Sequence, residues 1–160
     1  MRLNKIILSV FIILFVLSGP ALDAVQNRGV GFKSMSFGVG LFSLDGNLSF
    51  HKGNNVVTFK LAALNGSMEG WEINLAGVMY EYPLVWNPDC YASVGGGIAY
   101  NWGVFESDGK RKEKIGFPLE AKFVIKIIKY FGIGLYLIYN FVPNESGPYW
   151  TIGATLYFGK

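Results

Sequence analysis

The chain has 160 residues, of which only 16% are charged, and its formal net charge is +3. So small an excess of basic residues excludes the broad positive surface by which proteins bind nucleic acids. The single cysteine excludes an internal disulfide, so an exported form of this chain must be stable without one.

The first 24 residues have the layout of a secretory signal peptide, which is cleaved after export. A basic start is followed by an apolar run at residues 6–17 and by small residues that suit cleavage after Ala21 or Ala24. The alternative is a membrane-anchoring helix, but this run would span only about 18 Å of the roughly 30 Å of hydrocarbon in a bilayer. We therefore predict a signal peptide at residues 1–24 and one domain at residues 25–160.

After this segment, apolar and polar residues alternate with a period of two, which is typical of β-strands with one apolar face. Turn-forming residues separate the alternating segments, and only the link near residues 127–130 has no turn signal. The predicted strands are residues 34–43, 46–52, 55–64, 70–82, 90–103, 114–127, 130–142 and 148–158. Eight antiparallel strands can close into a barrel without free edges, so we predict an all-β, eight-stranded antiparallel up-and-down barrel.

The polar faces of these strands indicate which side of the barrel wall they occupy. They consist mostly of Gly, Ser, Thr, Asn and Tyr, whereas the outside of a soluble barrel carries many Lys and Glu residues. Small residues suit the crowded interior of an eight-stranded barrel. In the stretch LEAKFVIKI, residues 119–127, we therefore expect Leu119 and Phe123 to face lipid, and Glu120 and Lys122 to face the interior. The chain is thus predicted to be a transmembrane β-barrel with a packed interior.

Aromatic residues are predicted to form two belts at the two membrane interfaces. Trp71, Trp102 and Trp150 have the parity of the apolar faces and lie next to one rim, while Phe131 and Phe158 have this parity near the other. Such belts flank the apolar band of membrane barrels. The alternative is ordinary aromatic core packing, which would scatter these residues along the strands.

The connections between strands differ in length. If both termini lie on the periplasmic side, four connections face outward from the cell, at residues 43–46, 65–70, 103–113 and 142–148. The most charged stretch, ESDGKRKEK at residues 106–114, begins within one of them, as in outer-membrane barrels with long outer loops. It is either a solvated loop tip or a contact for lipopolysaccharide phosphates through Lys110, Arg111 and Lys112.

Four charged residues lie on predicted interior faces, where each needs a partner of opposite charge. They are Lys60, Glu72, Glu120 and Lys122. Lys60 and Glu72 are on neighbouring strands joined by a short loop. We predict an interior ion-pair network that fills the barrel, with a transport or catalytic role as the alternative.

With these features the chain resembles the small OmpA/OmpX-type outer-membrane β-barrel proteins, over nearly all of residues 25–160. The resemblance rests on strand number, alternation and the final strand YWTIGATLYFGK. It implies a monomer in the outer membrane of a Gram-negative bacterium, surrounded by lipid and lipopolysaccharide, with a structural or surface-interaction role. It also implies that the barrel-assembly machinery reads the last strand, although Gly159 and Lys160 follow the aromatic Phe158. Pro118 is a second departure, and it should sit at a bulge or near a rim.

Two other functions remain open from the sequence. An outer-membrane lipid-modifying acyl enzyme would need Ser49 and His51 within hydrogen-bonding reach beside a groove open to lipid. A soluble periplasmic barrel binding an apolar ligand would need its large apolar residues to converge inward, namely Phe37, Phe59, Ile73, Ile98 and Leu135. One histidine and one cysteine, Cys90, show no metal-ligand spacing, so we predict no catalytic residue, no metal and no cofactor.

Overall fold

The structure is a computed structural model that describes residues 31–41, 43–52, 55–66, 70–105, 110–145 and 149–159. The predicted signal peptide lies outside the described residues. Within them the chain forms eight strands: β1 (Gly31–Gly40), β2 (Ser43–Lys52), β3 (Asn55–Gly66), β4 (Trp71–Trp86), β5 (Cys90–Val104), β6 (Arg111–Ile128), β7 (Phe131–Phe141) and β8 (Tyr149–Gly159). The described residues include no helix that is long and apolar enough to cross a membrane.

The strands form one closed barrel in which every strand pairs antiparallel with its neighbours in the sequence. The barrel closes where β1 pairs with β8, from Ser34 opposite Gly159 to Gly40 opposite Gly153. The start of β1 and the end of β8 therefore lie at the same rim, which we call the terminal rim. At the opposite rim, the loop rim, β1 leads into β2, β3 into β4, β5 into β6 and β7 into β8. The predicted fold class, an eight-stranded antiparallel up-and-down barrel, is confirmed.

The first hairpin is placed differently from the prediction. A connection was predicted at residues 43–46, but Asp45 and Gly46 lie within β2, opposite Gly38 and Phe37. The strand β1 ends earlier, at Gly40. The strand conformation is favoured over a turn because the Asp45 side chain then points into the barrel, where it forms an ion pair with Lys60.

The strands β6 and β7 illustrate the orientation of the two faces. Leu135, near the middle of β7, is 58% exposed on the outside, while its neighbour Tyr136 is buried inside. On β6, Leu119 and Phe123 are exposed and Lys122 is buried. The apolar faces thus point outward, as predicted for LEAKFVIKI. The interior of the barrel takes the polar faces.

The first half of β4 contradicts the predicted orientation. Its apolar residues Trp71, Ile73, Leu75 and Met79 were expected to face outward, but all four are buried, and Glu72 is exposed instead. Three of them, Trp71, Ile73 and Leu75, belong to an apolar cluster near the loop rim, whose other members are Ala62, Leu64, Ala99, Phe105, Val142 and Tyr149. Both faces of β4 carry apolar residues, so alternation alone did not identify the inner one.

Glycine residues make room for a large ring inside the narrow barrel. Gly38 and Gly153 line the space taken by the Tyr136 ring, and a Cβ on Gly153 would lie 2.7 Å from Tyr136 Cε1.

The pairing of β5 with β6 is interrupted between Gly96–Leu119 and Ala99–Gly116. Pro118 lies in this gap, because proline has no amide hydrogen to donate to a neighbouring strand. It is therefore accommodated within β6 by a break in pairing.

Candidate functional site in the barrel interior

Among the described residues, six charged residues are at most 5% exposed, and all six lie inside the barrel. Three are basic and three are acidic, so together they carry no net formal charge. They are Lys33, Asp45, Lys60, Glu81, Glu120 and Lys122. We call them the interior charge chain, because their side chains follow one another with alternating sign.

One half of the interior charge chain is centred on Lys60 of β3. Its Nζ donates to Asp45 of β2, to Glu120 Oε2 of β6 at 2.7 Å and to Asn47 Oδ1 at 3.1 Å. The other carboxylate oxygen of Glu120 lies 3.0 Å from Nζ of Lys122. Lys60 thus connects β2 and β3 to β6 across the lumen, and this fixes the relative position of these strands.

The other half is centred on Glu81 of β4, whose Oε1 lies 3.7 Å from Lys122 Nζ. Thr58 donates to Glu81 Oε1, while Tyr91 and Ser93 donate to Oε2 at 2.8 and 3.2 Å. Lys33 continues the sequence of alternating charges by donating to the Tyr91 hydroxyl. Ser49 also donates to Oε1, at 3.5 Å, so four hydroxyl donors and a nearby ammonium compensate this buried carboxylate for its lost hydration.

Lys33 also lies against aromatic rings at the terminal rim. Its Nζ is 3.7 Å from the Tyr91 ring centroid and 4.5 Å from that of Trp86. The Tyr91 ring stacks on Tyr157 with centroids 5.7 Å apart. The pairing of β1 with β2 is irregular between Phe32 and Ser34, and this irregularity includes Lys33. Aromatic rings and one ammonium group therefore fill this end of the barrel.

The structure brings together three of the four residues predicted for the interior network, Lys60, Glu120 and Lys122. The prediction for Glu72 is wrong, because β4 turns its other face inward and leaves Glu72 exposed on the outside. The same error hid Glu81, which shares its parity with the buried apolar residues of β4.

Two further members of the interior charge chain, Asp45 and Lys33, were not predicted from the sequence. Asp45 was hidden by the connection predicted at residues 43–46, although it has the parity of Asn47 and Ser49 in β2. Lys33 precedes the predicted start of the first strand at residue 34, and no sequence signal marked the irregular pairing around it.

The predicted interface aromatics are divided between the two faces. Trp71 is only 9% exposed and packs edge-to-face on Tyr149 inside the barrel, with ring centroids 5.2 Å apart, so its predicted outward position is wrong. Four others lie on the outer face. Trp150 is 55% exposed, and Trp102 is half-buried and stacked on Tyr100. At the terminal rim, Phe131 and Phe158 pack together with centroids 5.3 Å apart.

The basic residues of the predicted outer loop lie at the start of β6, on the loop rim. Lys110 and Arg111 are exposed. Lys112 and Lys114 form ion pairs with Glu145, at 3.6 and 2.8 Å, and the Glu145 side chain is almost fully buried. Glu145 follows β7, so these loop-rim ion pairs hold the chain after β7 against β6.

Replacing Glu145 with Gln is expected to loosen this rim while leaving the barrel folded. The lysine side chains of both pairs are partly exposed to water, so the free energy of unfolding should fall by about 1 kcal/mol or less. Limited trypsin digestion of the folded protein in detergent should nevertheless cleave faster after Lys112 and Lys114. Glu72→Gln removes the same charge elsewhere on the outer face and serves as the control. Equal cleavage of both variants would contradict the proposed role of the ion pairs.

The residues named for an acyl-enzyme site or a metal site, Ser49, His51 and Cys90, lie near the terminal rim. The Ser49 hydroxyl is buried and lies 2.8 Å from that of Thr58 and 3.5 Å from Glu81 Oε1. The His51 ring packs edge-to-face against Trp86, with centroids 5.8 Å apart. Cys90 is a half-buried free thiol. Within the described part of the chain, no group of three or more His, Cys, Asp or Glu residues could hold a metal ion.

The chain was compared with known proteins. No protein-family model and no curated protein matches it. Among solved structures, it is similar to the N-terminal β-barrel domain of OprF from Pseudomonas aeruginosa, with a TM-score of 0.62 and 12% identity over 82% of this chain and 98% of that domain. It is also similar to Neisserial surface protein A (NspA), with a TM-score of 0.58 and 9% identity over 79% of this chain and 92% of that one. The chain has the fold of the small eight-stranded outer-membrane β-barrel proteins.

Proposed function

We propose that the protein is a monomeric integral barrel of the outer membrane of a Gram-negative bacterium, with a role in envelope structure or in surface interaction through its loop rim. In this proposal it has no enzymatic activity and no open channel. The interior charge chain stabilises the barrel and occupies its lumen. In this proposal the interior charge chain has a structural role and performs no chemistry on a substrate.

One observation carries this proposal: the barrel has its apolar side outside and its charged side inside. Large apolar residues such as Ile98, Phe123 and Leu135 are exposed on the outer face, while Lys60 and Glu120 are buried. Soluble monomers rarely expose contiguous apolar patches larger than a few hundred Å². A bilayer covers such a face, and a closed barrel leaves no strand edge unpaired within the hydrocarbon.

The alternative of a soluble barrel with an apolar binding site fits the described residues poorly. It needs five apolar residues to converge inward, and only Ile73 is buried inside. Phe59, Ile98 and Leu135 are exposed outside, and Phe37 lies half-buried on the outer face.

The acyl-enzyme alternative needs a serine that can reach a lipid. Ser49 is only 2% exposed, and its hydroxyl lies among the hydrogen bonds around Glu81 inside the barrel. A lipid ester outside the wall could not reach this oxygen without opening the barrel.

The surface role is proposed from the charges at the loop rim. Lys110 and Arg111 are exposed there, next to Lys112, and could contact lipopolysaccharide phosphates on the outer leaflet. The last strand, β8, carries Trp150 and Phe158 on its outer face. This supports its recognition by the barrel-assembly machinery during insertion.

Fractionation of a Gram-negative host that expresses the full chain tests the proposed location. The protein is expected in the outer-membrane fraction, to stay there after an alkaline wash and to migrate faster on gels when unheated, because the closed barrel resists unfolding by detergent. Recovery in the soluble periplasmic fraction would refute the membrane proposal. Protease treatment of whole cells should cleave near Lys110 and Arg111, and protection of this site would refute the proposed orientation.

A further inference from the structure

A cleft at the terminal rim has the chemistry of a lipid headgroup site. It is an open cleft of about 750 Å³ between the connection from β4 to β5 and the connection from β6 to β7. Its lining includes Asn87 and Asp89 on one side, and Lys126, Ile127, Ile128 and Lys129 on the other. We propose that it binds the anionic headgroup of a phospholipid in the periplasmic leaflet, an inference that rests on the proposed membrane function.

The cleft has a preformed framework on both sides. The Asn87 side-chain oxygen accepts hydrogen bonds from the amides of Asp89 and Cys90, at 2.9 and 2.7 Å. The Lys126 amide donates to the Asp89 carbonyl oxygen at 2.8 Å, which joins β6 to the end of the other connection. A turn closed in this way keeps the two walls at a fixed separation.

The charges of the cleft favour an anion. Its lining contains two lysines, Lys126 and Lys129, and one acidic residue, Asp89. Within the described part of the chain, neither lysine forms an ion pair. Lys129 Nζ lies 5.1 Å from the Tyr130 ring centroid, a contact that leaves its hydrogen-bond donors available. Lysines at a membrane surface attract anionic lipids.

The apolar part of the cleft distinguishes a lipid from a free phosphate ion. The pairing of β6 with β7 is irregular between Lys126 and Ile128. As a result Ile127 and Ile128 are consecutive in the sequence and yet both exposed. A bulge redirects side chains in this way. The two isoleucines continue the outer apolar face formed by Ile125 and Ile133, so a headgroup in the cleft has an apolar surface for its acyl chains beside it.

Native mass spectrometry of the full chain tests this inference. The protein is released from mixed micelles that contain equal amounts of phosphatidylglycerol and phosphatidylcholine, and the ratio of the two lipid adducts is measured. The wild type is expected to retain phosphatidylglycerol preferentially, and Lys126→Gln with Lys129→Gln should lower the ratio about tenfold. Asp89→Asn should raise the ratio severalfold, an effect that misfolding could not produce.

The controls separate this cleft from general charge. Glu72→Gln removes one carboxylate at the loop rim, as Asp89→Asn does at the cleft, and should change the ratio less than about twofold. Equal gains in Asp89→Asn and Glu72→Gln would overturn the inference. If excess inorganic phosphate abolishes the preference, the site takes a free phosphate group rather than a lipid headgroup, and the inference is wrong.

The same preparations distinguish this inference from the proposed function. Wild-type protein that stays in bilayers after an alkaline wash but retains both lipids equally overturns the inference alone. Protein that the wash releases overturns the membrane proposal and the inference with it.

Discussion

Replacing Lys60 with Met is expected to lower the free energy of unfolding by about 3–5 kcal/mol, the usual effect of removing one partner from a buried ion pair. Lys60 donates to both Asp45 and Glu120, so the variant leaves the carboxylate of Asp45 buried without its ion-pair partner. Thermal or denaturant unfolding in detergent, followed by the change in gel mobility, measures the loss. Glu72→Gln is the matched control, because Glu72 was predicted for the same network but is exposed.

The double variant Lys60→Met with Asp45→Asn makes this prediction sharper. It removes both charges at one end of the interior charge chain and leaves two lysines and two carboxylates, which remain balanced. The two substitutions should therefore be non-additive, with the double variant more stable than the sum of the single losses implies. Additive losses, or a melting temperature for Lys60→Met equal to that of Glu72→Gln, would argue against the interior charge chain.

Replacing Leu135 with Arg is expected to destabilise the protein in a bilayer by about 2–4 kcal/mol, the range for arginine near the midplane of a membrane barrel. Leu135 lies near the middle of β7 and its side chain points outward. The same substitution on the outside of a soluble barrel would cost almost nothing, since the guanidinium group would stay in water. This variant therefore tests the orientation of the barrel wall directly.

A depth series provides the control for Leu135. Leu41 is exposed in the turn after β1, at the loop rim, and Leu41→Arg should cost about 0–1 kcal/mol. Refolding into lipid vesicles over a range of urea concentrations measures both variants. Equal losses at Leu41 and Leu135, or no loss at either, would contradict a membrane-spanning wall.

Much of the fold could be predicted because it depends on local patterns. A period of two marked each strand, and an uninterrupted alternation such as that of β7 identified its inner and outer faces. Turn signals placed most of the connections. The first hairpin failed because an Asp-Gly pair favours turns but is also compatible with a strand when the aspartate has a buried partner.

The candidate site was less predictable, because its contacts join residues that are far apart in the sequence. Lys60 and Glu120 are 60 residues apart, and Lys33 and Tyr91 are 58 apart. Their proximity follows from the strand register and from barrel closure, neither of which a pattern along one strand contains. Such interactions become visible only when the positions across the lumen are known.

By itself, the sequence determined the number of strands, their antiparallel order and the separation of each strand into two faces, since hydrophobic alternation is a local property of the backbone geometry. Only the tertiary structure decided which face of β4 lies inside and which residues complete the interior charge chain. Burial depends on what surrounds a side chain. Trp71 lies inside because it packs into the apolar cluster near the loop rim, and Glu81 lies inside because it pairs with Lys122. These partners come together only when the barrel closes.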